Sequence, residues 1–329
     1  MRVLVTGATG FVGRHLLPVL QQGGCQVRAA YRSDRSTNAR DTLFEWVPVG
    51  DIGPDTSWAG AMAGVDVVIH LAALAHQMGP AAETRESEFL RVNALGTAQL
   101  AECAAEAGVS RFVMLSSIAA MGPYADEPLA ETGPCTPVTP YGRSKLEGER
   151  AVQRLLADGP TDWCILRPPL IYGPGNPGNM ARLLRLIERG LPLPLGRVEA
   201  RRSYVYVGNL VDLLSRCLTH PGASRRVFVV DDGEPIATRA LVRLLAKYAG
   251  KPARLLPVPP WALKALGRLG DQLQRILGSS AGIDSYSIDR LMGSLVVDSR
   301  AVREALGWSP PFSQEAGLRL TVQPELEAA

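Results

Sequence analysis

Arg2-Val3-Leu4-Val5-Thr6-Gly7-Ala8-Thr9-Gly10-Phe11-Val12-Gly13 opens the chain with an apolar run, a glycine turn and the start of an amphipathic stretch. The run over residues 2–6 predicts a buried strand, and the apolar spacing over 12–22 predicts a helix. Three glycines sit at the junction. Gly7 permits the tight turn, Gly10 lets backbone approach a pyrophosphate, and Gly13 lets helix and strand pack closely. The unpaired N–H groups and partial positive charge of a helix N-terminus complete an anion site. The stretch predicts a dinucleotide site in a parallel α/β fold, contacted by Gly7, Thr9, Gly10, Phe11, Val12 and Gly13.

Working outward, short apolar runs at 26–31, 45–49, 66–71, 111–116 and 163–168 alternate with helical patterns at 56–63, 86–107 and 142–157. That alternation predicts a Rossmann-type, doubly wound parallel sheet. After Pro168 a stretch dense in Pro, Gly and Asn reads as a loop. A helix is predicted at 180–189, a strand at 203–207, a helix at 209–218 and a strand at 227–230 that rejoins the sheet. The rest is mostly helical. The expected division is a dinucleotide-binding domain of 1–171 plus about 201–231. A smaller, mostly helical C-terminal substrate lobe of about 172–200 plus 232–329 would close over the sheet's carboxyl edge, where open parallel sheets bind ligands.

With 329 residues, 46% hydrophobic and 20% charged, the chain has the make-up of a soluble globular enzyme. Its net charge of +3 is carried by arginines spread along the chain, with lysine only at Lys145, Lys247, Lys251 and Lys264. That spread argues against a nucleic-acid partner. Five widely spaced cysteines without a Cys-x-x-Cys argue against a disulfide framework, and no metal site is expected. With no run of 18 apolar residues and no room for a leader before the first strand, the expectation is a cytoplasmic protein without membrane insertion. Residues 261–277 form a basic amphipathic stretch, expected to pack on its own lobe rather than touch lipid.

Tyr141 and Lys145 stand one turn apart on the predicted helix face, about 5–6 Å between side-chain origins. A free phenol titrates near ~10 and a free ammonium near ~10.4. An ammonium beside a phenol favours the phenolate, which turns tyrosine into a proton shuttle for an alcohol–ketone interconversion. His70, ending a buried strand, reads as a satisfied structural histidine.

The glycine turn, Gly50-Asp51-Ile52, His70-Leu71-Ala72-Ala73, Val92-Asn93-Ala94-Leu95-Gly96-Thr97, Leu115-Ser116-Ser117, Tyr141/Lys145 and Arg167-Pro168-Pro169-Leu170-Ile171-Tyr172-Gly173-Pro174 recur in this order. The set resembles the extended short-chain dehydrogenase/reductase superfamily, in its NAD-dependent sugar-nucleotide epimerase/dehydratase branch, over nearly the whole chain. The resemblance implies that Asp51 and Ile52 flank the adenine and that Leu71, Ala72 and Ala73 line the ribose–pyrophosphate path. It places Asn93 beside the nicotinamide half and Pro169 beside the carboxamide. It makes Ser117 the group that hydrogen-bonds the reacting oxygen, Tyr141 the proton carrier, and Lys145 the holder of the nicotinamide ribose that also acidifies Tyr141.

NAD-using members place an aspartate at the end of the second strand. Here that position is Tyr31, followed by Arg32, whose guanidinium suits a 2′-phosphate. NADP(H) is therefore favoured, with NAD(H) as the alternative. The related 4,6-dehydratases follow their serine with an acid pair, whereas Ser117 precedes Ile118 and Ala119, which have no proton to move. The expected reaction is at C4 of a nucleotide-sugar, UDP-linked in this reading. A 4-keto-6-deoxy-(N-acetyl)hexosamine reductase of surface-polysaccharide synthesis leads, with a UDP-sugar 4-epimerase as the alternative. A non-catalytic dinucleotide sensor is the distant rival. By resemblance, Arg202, Asn179 and Arg290 would grip the nucleotide diphosphate, with Ser117 also contacting substrate. Backbone groups of Leu193 and Leu195 would pair with uracil. The helices at 86–107 and 142–157 would join two copies in a homodimer.

Overall fold

The computed structural model describes residues 1–32, 43–75, 85–123, 127–277 and 285–327. Its strands β1 (Arg2–Thr6), β2 (Gln26–Tyr31), β3 (Glu45–Pro48), β4 (Val67–His70), β5 (Arg111–Leu115) and β6 (Asp162–Arg167) are joined by a late strand, Arg226–Val229. All seven run parallel, in the order Arg226–Val229, β6, β5, β4, β1, β2, β3.

The strands are near-continuous apolar runs because helices cover both faces. Val3, Val5, Val67, Ile69, Val113 and Leu115 join one core with Leu16 and Leu20 of helix Phe11–Gln22 and Leu210 of helix Val207–Cys217. Their alternates Leu4, Val68, Phe112 and Met114 join the other, with Trp58, Leu100 and Val152. The winding reverses between β1 and β4, which opens a crevice at the carboxyl ends of the strands.

The six predicted strands of the first half lie within two residues of their expected ends, and Arg226–Val229 rejoins the sheet beside β6 as the sequence suggests. Three elements differ. The expected helix over 86–107 runs as Glu86–Leu90 and Gly96–Glu106, separated by a π-helical turn at Arg91–Leu95. The catalytic-helix candidate starts at Pro140, because Thr139 accepts the Gly142 N–H at 3.1 Å and Pro140 fits the first helical position. The expected loop after Pro168 contains a strand, Leu170–Tyr172, paired with Tyr204–Tyr206 outside the main sheet. Tyr172 stacks edge-on with Tyr204 there, centroids 6.2 Å apart.

The later helices Asn179–Glu188, Thr238–Tyr248, Arg300–Leu306 and Gln314–Val322 send Met180, Ile187, Leu241, Val302 and Leu318 into the β1-side core. Asp231 and Asp232 tie these elements to the sheet. Asp232 accepts from the Tyr172 hydroxyl, the Tyr206 N–H and the Asn209 amide. Burial lifts its carboxyl to about 6 against those hydrogen bonds. Among the described residues no helix is long and apolar enough to cross a membrane.

Candidate active site

The glycine turn at the end of β1 leans on the end of β4. Gly7 has φ +67°, and a Cβ there would lie 2.7 Å from the Ala72 nitrogen. A Cβ on Gly13 would lie 2.4 Å from the Gly7 carbonyl oxygen, so helix Phe11–Gln22 can sit this close only with glycine. That helix has no side-chain cap and no acid in its first turn. An uncapped, carboxylate-free N-terminus over a glycine-rich turn fits a dinucleotide pyrophosphate.

A buried hydrogen-bond chain sets the neighbouring strand ends. The Thr97 hydroxyl donates to the Asn93 carbonyl at 2.8 Å, so it accepts from His70 Nε2 at 2.9 Å. His70 Nδ1 then accepts from the Thr6 hydroxyl at 2.7 Å, and Thr6 Oγ1 accepts the Ala72 N–H at 3.2 Å. Burial, reinforced by the Lys145 charge, holds His70 down near 3, so the ring stays neutral. It is the structural histidine the sequence suggests. Asn93 sits in the π turn with its side chain committed to protein: Oδ1 accepts from Leu74 N, and Nδ2 donates to Leu74 O and Ser144 Oγ. Both amide hydrogens are used, so Asn93 positions the Leu74 backbone and the Tyr141 helix rather than offering its side chain to a cofactor. A π turn at a functional site follows a general tendency. It brings the Asn93 carbonyl to where a Cβ on Gly148 would be 2.4 Å away.

Three successive residues at the end of β5 each meet one residue of a single stripe on helix Pro140–Leu155. The Leu115 carbonyl accepts from Lys145 Nζ at 2.8 Å. The Ser116 hydroxyl donates to Glu149 Oε1. Ser117 faces the Tyr141 phenol, and its hydrogen bond favours the phenolate. Tyr141, Lys145 and Glu149 are spaced i, i+4, i+8 and so share a face. Gly142 lets the helix approach, since a Cβ there would lie 2.3 Å from the Ala119 carbonyl. From β6, Arg167 clamps Glu149 through Nε and Nη2 at 2.5 to 3.1 Å. Glu149 and the Arg167 side chain are 1% and 6% exposed, and Lys145 is 1% exposed.

Burial lowers the Lys145 ammonium from 10.5 to about 8, against the opposing pull of Glu149. Burial raises the Tyr141 phenol, partly opposed by Ser117. The bond from Lys145 Nζ to the Leu115 carbonyl uses one of the three ammonium donors. Glu149 and Arg167 escaped the sequence reading. Their signals were an acid four residues past Lys145 and an arginine closing an apolar strand.

At the other end of the crevice Tyr31 stacks edge-on with Trp46, and Arg32 Nε lies 3.7 Å from the Asp51 carboxylate. Both charges are open to solvent, 77% and 75% exposed. A carboxylate thus stands beside the arginine expected to bind a 2′-phosphate. Ile52 packs against Gly96, and buried Pro169 follows Pro168, whose carbonyl accepts the Ile118 N–H at 2.9 Å.

The substrate residues fare less evenly. Asn179 is exposed and opens helix Asn179–Glu188. Arg202 donates from Nη1 to the Gly293 carbonyl at 3.0 Å. The backbone groups of Leu193 and Leu195 expected to meet uracil bond within the chain. The Leu193 N–H goes to Arg254 O and the Leu195 N–H to Leu193 O, both at 2.8 Å, while Pro192 and Pro194 have none. No donor is left along 192–195 for a base edge. The Arg290 side chain lies outside the described residues.

The model of the NAD dependent epimerase/dehydratase family matches residues 3–231, and the chain belongs to that family. A UDP-glucose 4-epimerase of Vibrio cholerae is 38% identical over 331 residues, covering 99% of this chain and 96% of that relative. MoeE5, solved in complex with UDP-glucuronic acid and NAD, aligns with TM-score 0.77 at 26% identity over 100% of both chains. The UDP-glucuronic acid 4-epimerase of Bacillus cereus, solved with NAD, shares the fold at TM-score 0.78 and 21% identity, over 100% of this chain and 99% of that one.

Proposed function

We propose that this chain moves a hydride and a proton at C4 of a UDP-linked sugar, with NAD as its redox partner and C4 epimerisation as the net reaction. The observation that carries the reading is the stripe Tyr141, Lys145 and Glu149 held against Leu115, Ser116 and Ser117 at the crevice. The Vibrio cholerae 4-epimerase relative and the NAD-bound solved neighbours support the direction and the cofactor. Asp51 beside Arg32 also argues for NAD, since its charge opposes a 2′-phosphate.

The uncapped helix N-terminus after Gly10 would hold the pyrophosphate, and Leu71, Ala72 and Ala73 its ribose path. When bound, the nicotinamide supplies the carbon that accepts and returns hydride. Tyr141 takes the C4 hydroxyl proton during oxidation and returns it during reduction, while Ser117 polarises that oxygen. The positive charge of Lys145 favours the Tyr141 phenolate that accepts the C4 proton in the oxidative half-reaction and is regenerated when that proton is returned. Ile118 and Ala119 carry no acid or base, so water elimination has no support. Asn179, Arg202 and Arg290 are proposed for the diphosphate, and the division into 1–171 with about 201–231 and about 172–200 with 232–329 is part of this reading. A homodimer through helices Gly96–Glu106 and Pro140–Leu155 accords with the exposed Leu95 and Leu155 beside and on them, and sedimentation equilibrium checks it.

The second reading is net reduction of a 4-keto sugar with NADPH, favoured by Arg32 after a β2 that ends in Tyr31 instead of an acid. Incubating the purified protein with UDP-glucose and UDP-N-acetylglucosamine, with no added reductant, separates the two. Epimerisation predicts the C4 epimer by NMR. Turnover only with a 4-keto sugar and NADPH replaces it with the reductase. No turnover in either arm overturns chemistry at C4.

A further inference from the structure

Over residues 260–272, helix Pro260–Leu277 has two apolar faces, and among the described residues one is packed by the fold. The helix packs against Ser285–Met292 and buries Leu263, Gly267 and Gly270, as an element serving its own lobe should. On the other side Trp261 is 74%, Leu269 56% and Leu266 41% exposed. At about 100° per residue, Trp261, Ala265 and Leu269 fall within one arc of about 80°, with Lys264 and Arg268 along its edge. Trp58, Trp163 and Trp308 are buried, so Trp261 is exposed against the habit of this chain.

Single exposed apolar residues need no explanation, but a contiguous stripe rimmed by polar residues marks a binding face. The rim here is mainly basic, with Asp271 further along the same edge accepting the Ser285 N–H at 3.1 Å. From residue 251 to 269 the chain carries Lys251, Arg254, Lys264 and Arg268 and no Asp or Glu, and Leu256 in the same stretch is exposed as well. The occupant must be apolar beneath the stripe and negative at its edge. A lipid surface with anionic headgroups meets both demands, and tryptophan prefers that boundary.

We propose that the Trp261–Leu269 face of this helix lies in the plane of an anionic lipid surface and docks the chain there without spanning it. Trp261, Leu266 and Leu269 enter the headgroup boundary, and Lys264 and Arg268 pair with the phosphates. This docking is independent of the C4 chemistry.

The test is co-sedimentation of the full chain with vesicles of phosphatidylglycerol and phosphatidylcholine in equal parts, against phosphatidylcholine alone. Binding to the anionic vesicles, weakened by salt, is expected. The double variants Trp261→Ser/Leu269→Ser and Lys264→Glu/Arg268→Glu should each lower partition about tenfold or more, with thermal unfolding unchanged. On anionic vesicles, acrylamide quenching should fall in the wild type and not in Trp261→Phe. Absence of wild-type binding, or binding that both double variants retain, overturns the proposal. So does concentration-dependent self-association that these variants abolish without any lipid binding, which would assign the face to a second copy of the chain.

Discussion

Two arginine–carboxylate pairs stand at the carboxyl edge of the sheet, and their surroundings give them opposite roles. Arg167 and Glu149 are sealed beside Lys145, at 6% and 1% exposure, with Ser116 filling a further acceptor position of the carboxylate. Arg32 and Asp51 face water at 77% and 75% exposure, 3.7 Å apart. The buried pair cannot relax toward solvent, so it fixes the register of the Tyr141 helix against β5 and keeps a negative charge near Lys145. The exposed pair is screened and adjustable. The end proposed to carry the chemistry is rigid, and the end proposed to select the cofactor is tunable.

The strongest way to break this contrast is to cut the buried pair. Glu149→Gln should lose about 3–5 kcal/mol of unfolding free energy in urea, because Arg167 is left buried without its partner. Neutralising both with Glu149→Gln/Arg167→Met should recover much of that loss. If Glu149→Gln is as stable as wild type, the clamp is not structural.

Next comes the pH dependence of Lys145. Its ammonium titrates at about 8 in the folded chain against 10.5 ordinarily. Between those values the unfolded chain keeps a proton that the folded site has released, so this group adds stability as pH rises through that window. Its charged form costs most at and below the lower value. The unfolding free energy of wild type relative to Lys145→Met should therefore rise by about 3 kcal/mol from pH 8 toward 10.5. A flat difference would contradict the burial argument.

The exposed pair gives the smallest effects. Arg32→Ala and Asp51→Asn should each change stability by less than about 1 kcal/mol. Asp51→Asn should improve NADP binding relative to NAD several-fold by isothermal titration, since it removes a charge that opposes the 2′-phosphate. An unchanged ratio would take Asp51 out of cofactor selection.

These differences also explain what the sequence made legible. Gly7, Gly10 and Gly13 lie within seven residues, and Tyr141 and Lys145 within one helical turn, so their chemistry is written in local spacing. The clamp joins β5, β6 and a helix through Ser116, Arg167 and Glu149, residues whose shared burial no local pattern states. The π turn at Arg91–Leu95 was invisible because its residues have ordinary helical character, and only the approach of Gly148 to Asn93 reveals its use. The pairing of Leu193 with the chain at 254–256, distant in sequence, was equally hidden from any local pattern.

The central claim is that Tyr141 carries the C4 proton in a site already built around it. The direct measurement is turnover of UDP-sugars by Tyr141→Phe, followed by NMR, beside NAD binding by the same variant. The account predicts a loss of about 10²–10⁴-fold in kcat with NAD affinity unchanged. Turnover within a few-fold of wild type would contradict it.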